Sequence, residues 1–263
     1  MNLYWVYDLP SWLFGMLTIA VTVGIGVAGL SVTRGWARRI HGEQHSHNEI
    51  VGFYLSGVGL FYGITLGLLA VGAWQTYSEV GSQVDEEASA LAVLYRAATS
   101  LPEPKRTELQ ADLREYVRQV IEVAWPLQRQ GIVPQVTVGT LNTLQVHLAS
   151  FEPATEGQKT LHAEAYRVFD RIVELRRIRL RNVSAGLPGP LWSVVLIGAV
   201  LNIVVTWFFD VRSRPMHFWM TVMFAGFLGL LIFQLAALDK PFMGELNVGP
   251  EAFQLVYDQL MKP

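Results

Sequence analysis

Residues 50–78 read IVGFYLSGVGLFYGITLGLLAVGAWQTYS, and no charged side chain lies between Glu49 and Glu79. A helix needs about 20 apolar residues to cross the hydrocarbon core of a bilayer, and this stretch exceeds that length. A buried helix of a soluble protein would show a polar stripe within such a length. The stretch therefore predicts a membrane-spanning helix.

Three more windows share this character, because charged residues are also absent from 9–33, 182–209 and 215–238. Each window is long enough to span a bilayer as a helix. The sequence therefore predicts an all-α membrane protein with four transmembrane helices. We place the spans at residues 10–32, 50–74, 190–209 and 216–238.

The composition agrees with a membrane protein and narrows the function. Charged residues make up 16% of the 263 residues, whereas soluble domains contain about 25%. The net charge of −2 argues against a nucleic-acid-binding protein, and the absence of cysteine excludes disulfides and thiol chemistry. No nucleophile elbow, phosphate-binding loop or metalloprotease motif occurs, so we predict no enzyme and no cofactor.

The segment between spans two and three predicts a helical extramembrane domain over residues 78–187. Apolar residues recur there at three- and four-residue steps, as in the run from Val84 to Leu91. Thr155 and Gln158 have the spacing of a capping box that opens the last helix of the domain. Residues 239–263 are predicted to be an extramembrane C-terminal tail.

Glycines follow one another at four-residue spacing in span two, at Gly59, Gly63 and Gly67. Residues at this spacing share one face of a helix and allow another backbone to approach closely. Small side chains also leave room in a helix that lines a pore, where Thr65 would add a hydroxyl. Both interpretations remain open, and they overlap if copies of span two surround a pore.

Span three carries polar residues in the middle of the membrane. Asn202 and Thr206 lie one helical turn apart, and Asn202 needs a hydrogen-bond partner at that depth. The pattern predicts either a hydrogen bond between helices, with Gln234 of span four as a candidate partner, or a polar pore wall. No span has a charged residue at its centre, which disfavours a proton pump or voltage sensor but not a passive channel.

The loop between the first two spans contains a group of titratable side chains. Imidazole and carboxylate groups so close in sequence can bind a transition metal or sense pH. The spacing matches no established metal motif, so a solvated loop is the alternative. The candidates are His41, His45, His47 and Glu49.

An acidic run, Asp85, Glu86 and Glu87, follows span two. It can collect cations at the vestibule of a channel. Such runs also occur at ordinary solvated helix starts, where the helix dipole favours them. The sequence does not choose between these interpretations.

Orientation is not decided by the positive-inside rule, because basic residues occur on both sides. The loops after spans one and three contain five arginines on one side of the membrane. Four others precede span three on the side of the helical domain, namely Arg176, Arg177, Arg179 and Arg181.

Several short motifs resemble those of the bestrophin-like domain family of bacterial membrane proteins. The resemblance covers nearly the whole chain and includes the stretch from Trp74 to Glu87 after span two. The other motifs are His47-Asn48-Glu49, Leu94-Tyr95-Arg96, Trp125-Pro126-Leu127, Arg176-Arg177-x-Arg179, Asp239-x-Pro241-Phe242-x-Gly244 and Val248-x-Pro250-x-x-Phe253.

The resemblance implies a homo-oligomeric ion channel in the cell inner membrane, a pentamer by analogy with bestrophins. It implies anions as permeants rather than cations, with the lipid bilayer, inorganic ions and further copies of the chain as partners. It also favours a cytoplasmic location for the helical domain. A non-conducting scaffold or sensor, whose helical domain binds a partner or ligand, is the alternative.

Overall fold

The computed structural model describes residues 4–40 and 47–262 of the chain, and all regular elements in this part are helical. The chain forms two compact units. The first is built from the chain up to Gln75 and from Gly186–Asp239, and the second from Thr76–Ala185 and from Lys240 onward. Helix α2 (His47–Ala98) contributes residues to both units.

The first unit contains the long apolar helices. It begins with a short 3₁₀ helix (Tyr4–Asp8) and continues with α1 (Ser11–Ile40) and the first part of α2. Two later helices complete it, α7 (Gly189–Trp207) and α8 (Arg214–Asp239). All four long helices are long and apolar enough to cross a membrane. The prediction of an all-α protein with four membrane-spanning helices is confirmed.

Glycine brings α1 and α8 into close contact. A Cβ atom at Gly229 of α8 would lie 2.9 Å from the Cα atom of Ile19 and 2.5 Å from the Thr22 hydroxyl of α1. The two backbones therefore meet where α8 has no side chain, as small residues allow in membrane helices. Helix α7 joins this pair through Trp207, whose indole N–H donates to the Gly26 carbonyl at 3.0 Å.

The second unit is built from short amphipathic helices around the end of α2. One helical stretch changes pitch at Pro126, which lacks an N–H and cannot continue the i to i−4 ladder. The turn just before it is π-helical, and the Trp125 N–H donates to the Val120 carbonyl instead. The elements are α3 (Lys105–Gln119), the π turn (Val120–Ala124), α4 (Trp125–Arg129), α5 (Thr137–Ala149), α6 (Glu156–Asn182), α9 (Glu251–Val256) and a final π turn (Tyr257–Met261).

Two local signals end and begin these helices. Gly131 has a φ of 74° after the end of α4, a conformation that glycine adopts without strain. At the start of α6, Thr155 accepts the Gln158 N–H and the Gln158 side chain accepts the Thr155 N–H. The predicted capping box is confirmed.

The C-terminal residues are part of the core of the second unit. Phe242, Phe253 and Met261 are fully buried, and the rings of Phe242 and Phe253 pack against Trp125. The indole N–H of Trp125 donates to the Val248 carbonyl at 3.3 Å. The segment after Lys240 is therefore an integral layer of the helical unit rather than a free tail.

We expect Gly229→Ala to weaken the first unit, because its new methyl group would overlap the Ile19 backbone, which cannot move aside like a side chain. Overpacking of this kind costs roughly 1–3 kcal/mol. Thermal unfolding of the detergent-purified protein should show a lower melting temperature than the wild type.

Gly226→Ala is the matched control, one turn earlier on the same helix. Its methyl group would lie 3.7 Å from Val23 Cγ2 and 3.8 Å from Ile19 Cγ2, which is ordinary contact. We expect no loss of stability, since alanine also favours the helix. Equal melting temperatures for the two variants would contradict the close approach of α1 and α8.

Candidate functional site

The membrane part of α2 contacts α7 along a narrow seam. The Tyr62 hydroxyl donates to the Val195 carbonyl at 3.1 Å. Its ring occupies the space beside Gly198, where an added Cβ would lie 2.5 Å from Tyr62 Cδ2. The seam therefore depends on a large residue of α2 fitting over a glycine of α7.

Asn202 lies in the same seam, one turn after Gly198, and only 1% of its surface is exposed. Its amide N–H donates to the Gly198 carbonyl at 2.8 Å. Its side-chain oxygen has no hydrogen-bond partner among the described residues, and a Cβ at Gly59 would lie 3.5 Å from it. Gln234 is exposed on α8, so it is not the partner considered for Asn202.

Thr206 is also buried within the chain. Its hydroxyl donates to the Ile203 carbonyl at 2.6 Å, and its own carbonyl accepts from His217 Nε2 at 3.0 Å. The polar residues of α7 therefore face neighbouring helices of the same chain. In a pore they would act behind the wall and support it, because their side chains are covered by α2 and α8.

The remaining candidates of α2 lie on two different faces. Gly63 and Gly67 are exposed, and a Cβ at either would meet nothing within 4 Å. Thr65 is exposed too, with its hydroxyl donating to the Phe61 carbonyl at 2.8 Å. Two residues of an α-helix turn the chain by about 200°, so Thr65 points away from Gly63 and Gly67. One surface cannot contain all three.

The first-loop candidates are only partly within the described residues, since His41 and His45 lie outside them. His47 opens α2, and its Nε2 donates to the Phe208 carbonyl at 2.9 Å. Asn48 pairs with the backbone of Asp210, accepting its N–H and donating to its carbonyl at 2.8 Å each. Glu49 is exposed, and the described residues contain no cluster of three metal ligands. Here the residues that open α2 hold the end of α7.

The acidic run after span two is divided between surface and core. Asp85 and Glu86 are exposed, and Glu86 pairs with Arg171 at 2.6 Å. Glu87 is completely buried and pairs with Arg179, which is 1% exposed, at 2.7 Å. Glu87 therefore cannot line a vestibule as the sequence suggested, because solvent and ions do not reach it.

Further polar and aromatic groups surround the Glu87–Arg179 pair. The Tyr116 hydroxyl donates to Glu87 at 2.8 Å, and Arg179 donates to Gln128 at 3.0 Å. Burial raises the pKa of Tyr116 well above its usual value, and the charge of Glu87 adds to this. Burial would lower the pKa of Arg179, but the charge and hydrogen bonds of Glu87 outweigh it and raise that pKa. The tyrosine stays neutral and the arginine charged.

Helical phase is the signal that identifies this pair in the sequence. Glu87 comes three residues after Val84 and four before Leu91, so it lies on the same apolar stripe. Arg179 follows Leu175 by four residues on the stripe of α6. Opposite charges on two stripes that face one core predict a buried pair, whereas acidic character alone does not.

The four arginines before span three also have different environments. Arg179 is neutralised in the core, and the Arg176 Nε donates to the Thr137 hydroxyl at 2.9 Å. Arg177 and Arg181 are exposed and form no ion pair with the described residues. Only these two offer full positive charge to the surroundings on the domain side.

A family model for the Bestrophin-like domain matches residues 20–253, most of the chain. The chain belongs to the bestrophin-like domain family. The family resemblance seen in the sequence motifs is thereby confirmed. Comparison with curated proteins gave no significant match.

Solved structures show the same fold at low sequence identity. A bacterial Bestrophin homolog from Klebsiella pneumoniae is similar with a TM-score of 0.70 and 12% identity, covering 92% of this chain and 97% of that chain. A single-site variant of a Klebsiella pneumoniae Bestrophin homolog gives a TM-score of 0.72 at 12% identity, covering 94% and 99%. The bestrophin-like chain therefore shares an architecture with these homologues from end to end.

We expect Glu87→Gln to destabilise this bestrophin-like protein strongly, because it leaves the Arg179 charge buried without its counter-charge. Breaking a buried pair from one side costs about 3–5 kcal/mol. The neighbouring Glu86→Gln removes only an exposed pair, worth about 0–1 kcal/mol. Denaturant unfolding, followed by the fluorescence of buried Trp125, compares the two variants.

Replacing both partners separates charge from packing. The double variant Glu87→Leu with Arg179→Met removes the two charges together, and such replacements are often neutral or stabilising. We expect it to recover most of the stability lost in Glu87→Gln. Similar losses for Glu86→Gln and Glu87→Gln would contradict the division of the acidic run.

Proposed function

We propose that the chain assembles into a homo-oligomeric ion channel in which copies of α2 surround the pore. The exposure of α2 carries this proposal. Only 6% of its most apolar stretch is buried within the chain, against 39% for α8. A helix so little covered by its own chain must be covered by lipid or by further copies.

The small residues of α2 favour further copies over lipid. Gly63 and Gly67 lie beside the seam with α7 and meet no side chain or backbone of this chain. Lipid tails gain nothing from missing side chains, whereas a second helix can approach closely there. Copies that pack through this surface bring the α2 helices together around a common axis.

Three features support conduction, with anions as the expected permeants. The bestrophins that this family resembles are anion channels, and the fold matches a bacterial Bestrophin homolog from end to end. Exposed Arg177 and Arg181 precede α7, and no acidic residue follows them before Asp210. No charged residue lies in the middle of a span, which suits passive conduction rather than active pumping.

The same residues support an orientation. Arg177 and Arg181 lie on the side of the membrane that carries the helical domain, and basic residues favour the cytoplasmic side. The charge count that opposed this includes the arginines of the two other loops. We therefore propose an inner-membrane protein with a cytoplasmic helical domain, on the basis of the family together with these two exposed charges.

We expect the purified protein in a planar bilayer to show unitary currents whose reversal potential follows a chloride gradient. Gly63→Leu should abolish these currents and the oligomer, because a large side chain fills the surface where copies meet. The monomer should stay folded, since a Cβ at Gly63 meets nothing within 4 Å. Light scattering after size exclusion gives the oligomer mass.

Gly57→Leu is the control on the same helix, because it lies about 120° away from Gly63 around the helix axis and also meets nothing within 4 Å. It should affect the oligomer less than Gly63→Leu. An oligomer that conducts under no salt, pH or calcium condition would support the scaffold or sensor instead. A stable monomer would refute the channel.

A further inference from the structure

A cavity of about 400 Å³ lies in the first unit where α7 ends and α8 begins. Its walls are almost entirely apolar and come from three helices, with Leu55 of α2, Phe209 after α7 and Phe224 of α8 among them. The exposed side chains of Met220 and Met223 stand at its rim. Flexible methionine side chains adapt to differently shaped apolar ligands.

One wall of this cavity contains a hydroxyl without a partner. Thr221 is 2% exposed, and its Oγ1 forms no hydrogen bond with the described residues. Its methyl group is held against α1, where a Cβ at Gly26 would lie 3.2 Å from Thr221 Cγ2. The other threonines of the spans bond to a carbonyl of their own helix, as Thr18 does to Phe14 at 2.9 Å. Leaving a buried hydroxyl unpaired is unfavourable, so Thr221 marks a place where a ligand group gains a hydrogen bond.

His217 supplies the second polar group, one turn before Thr221 on the wall of the cavity. Its Nε2 faces the Thr206 carbonyl, which can only accept, so Nε2 carries the proton. In this neutral tautomer Nδ1 is an acceptor, and it forms no hydrogen bond with the described residues. The cavity therefore presents one free acceptor and one hydroxyl that can accept or donate.

We propose that this cavity binds a neutral lipid whose polar end is a hydroxyl group. A hydroxyl donates to His217 Nδ1 and accepts from Thr221 Oγ1 at the same time, which an ester or ether oxygen cannot do. No Lys, Arg, Asp or Glu lines the cavity, so a charged headgroup would be buried without a counter-charge. The apolar walls accept the chain, and the volume lies within the usual range for ligand sites of about 300–1,000 Å³.

Photolabelling of the full chain in lipid nanodiscs tests this proposal. The probes are a long-chain alcohol with a diazirine in the chain and its methyl ether, which cannot donate a hydrogen bond. In the wild type the alcohol should label the segment 220–224 about fivefold more than the ether, the factor that one hydrogen bond contributes. Thr221→Val keeps the shape and should remove most of this preference while ether labelling stays constant.

Two further variants distinguish the remaining outcomes. Leu55→Trp fills the cavity and should reduce labelling by both probes, whereas Thr65→Val removes an exposed hydroxyl elsewhere on α2 and should change neither. Equal labelling by alcohol and ether in the wild type would overturn the proposal and leave a slot for any acyl chain. Efficient cross-linking between copies through Met223→Cys would also overturn it, because a second chain would then occupy the cavity. Labelling needs no ion current, so the result is independent of the proposed channel.

Discussion

A single helix, α2, must satisfy two solvents along one unbroken backbone, and the rest of the structure depends on this constraint. Up to Gln75 it lies in the unit of apolar helices, where an uncompensated charge is costly, and it has none between Glu49 and Glu79. Beyond that point it is amphipathic and contributes the buried Glu87 to the helical unit. Because no proline interrupts α2, the change of environment is made entirely by side chains.

Polar residues within the spans are explained by helix packing more than by a pore. Thr18, Thr65 and Asn202 each bond to a carbonyl of their own helix, four residues back. Such bonds satisfy a hydroxyl or amide in hydrocarbon without any water. A polar stripe in a span therefore carries little information about conduction. The uncovered surface of α2 is more informative, because it shows which helix the chain leaves for other molecules.

The sequence was sufficient for the architecture but not for the contacts. Charge-free windows revealed the four spans, and the Thr155 capping box marked the start of α6, because both follow from local chemistry. Glycine spacing was ambiguous, since it identifies a face without saying what lies opposite. Gly63 meets nothing in the chain, whereas Gly229 meets the backbone of Ile19. Glu87 was misjudged because its neighbours Asp85 and Glu86 are exposed, and only its phase relative to Val84 distinguishes it.

The order of segments also makes the two units depend on each other during synthesis. The helical unit takes its core from Thr76–Ala185 and from the segment after Lys240, with α7 and α8 between them in the chain. Trp125 is covered by Phe242 and Phe253, and Arg179 lies over the rings of Trp125 and Phe253 at 5.4 Å and 5.5 Å. Until α8 has been made, the Glu87–Arg179 pair lacks part of its apolar cover. Because a buried pair is stable only when water is excluded, the helical unit reaches its final packing after the last span is in place.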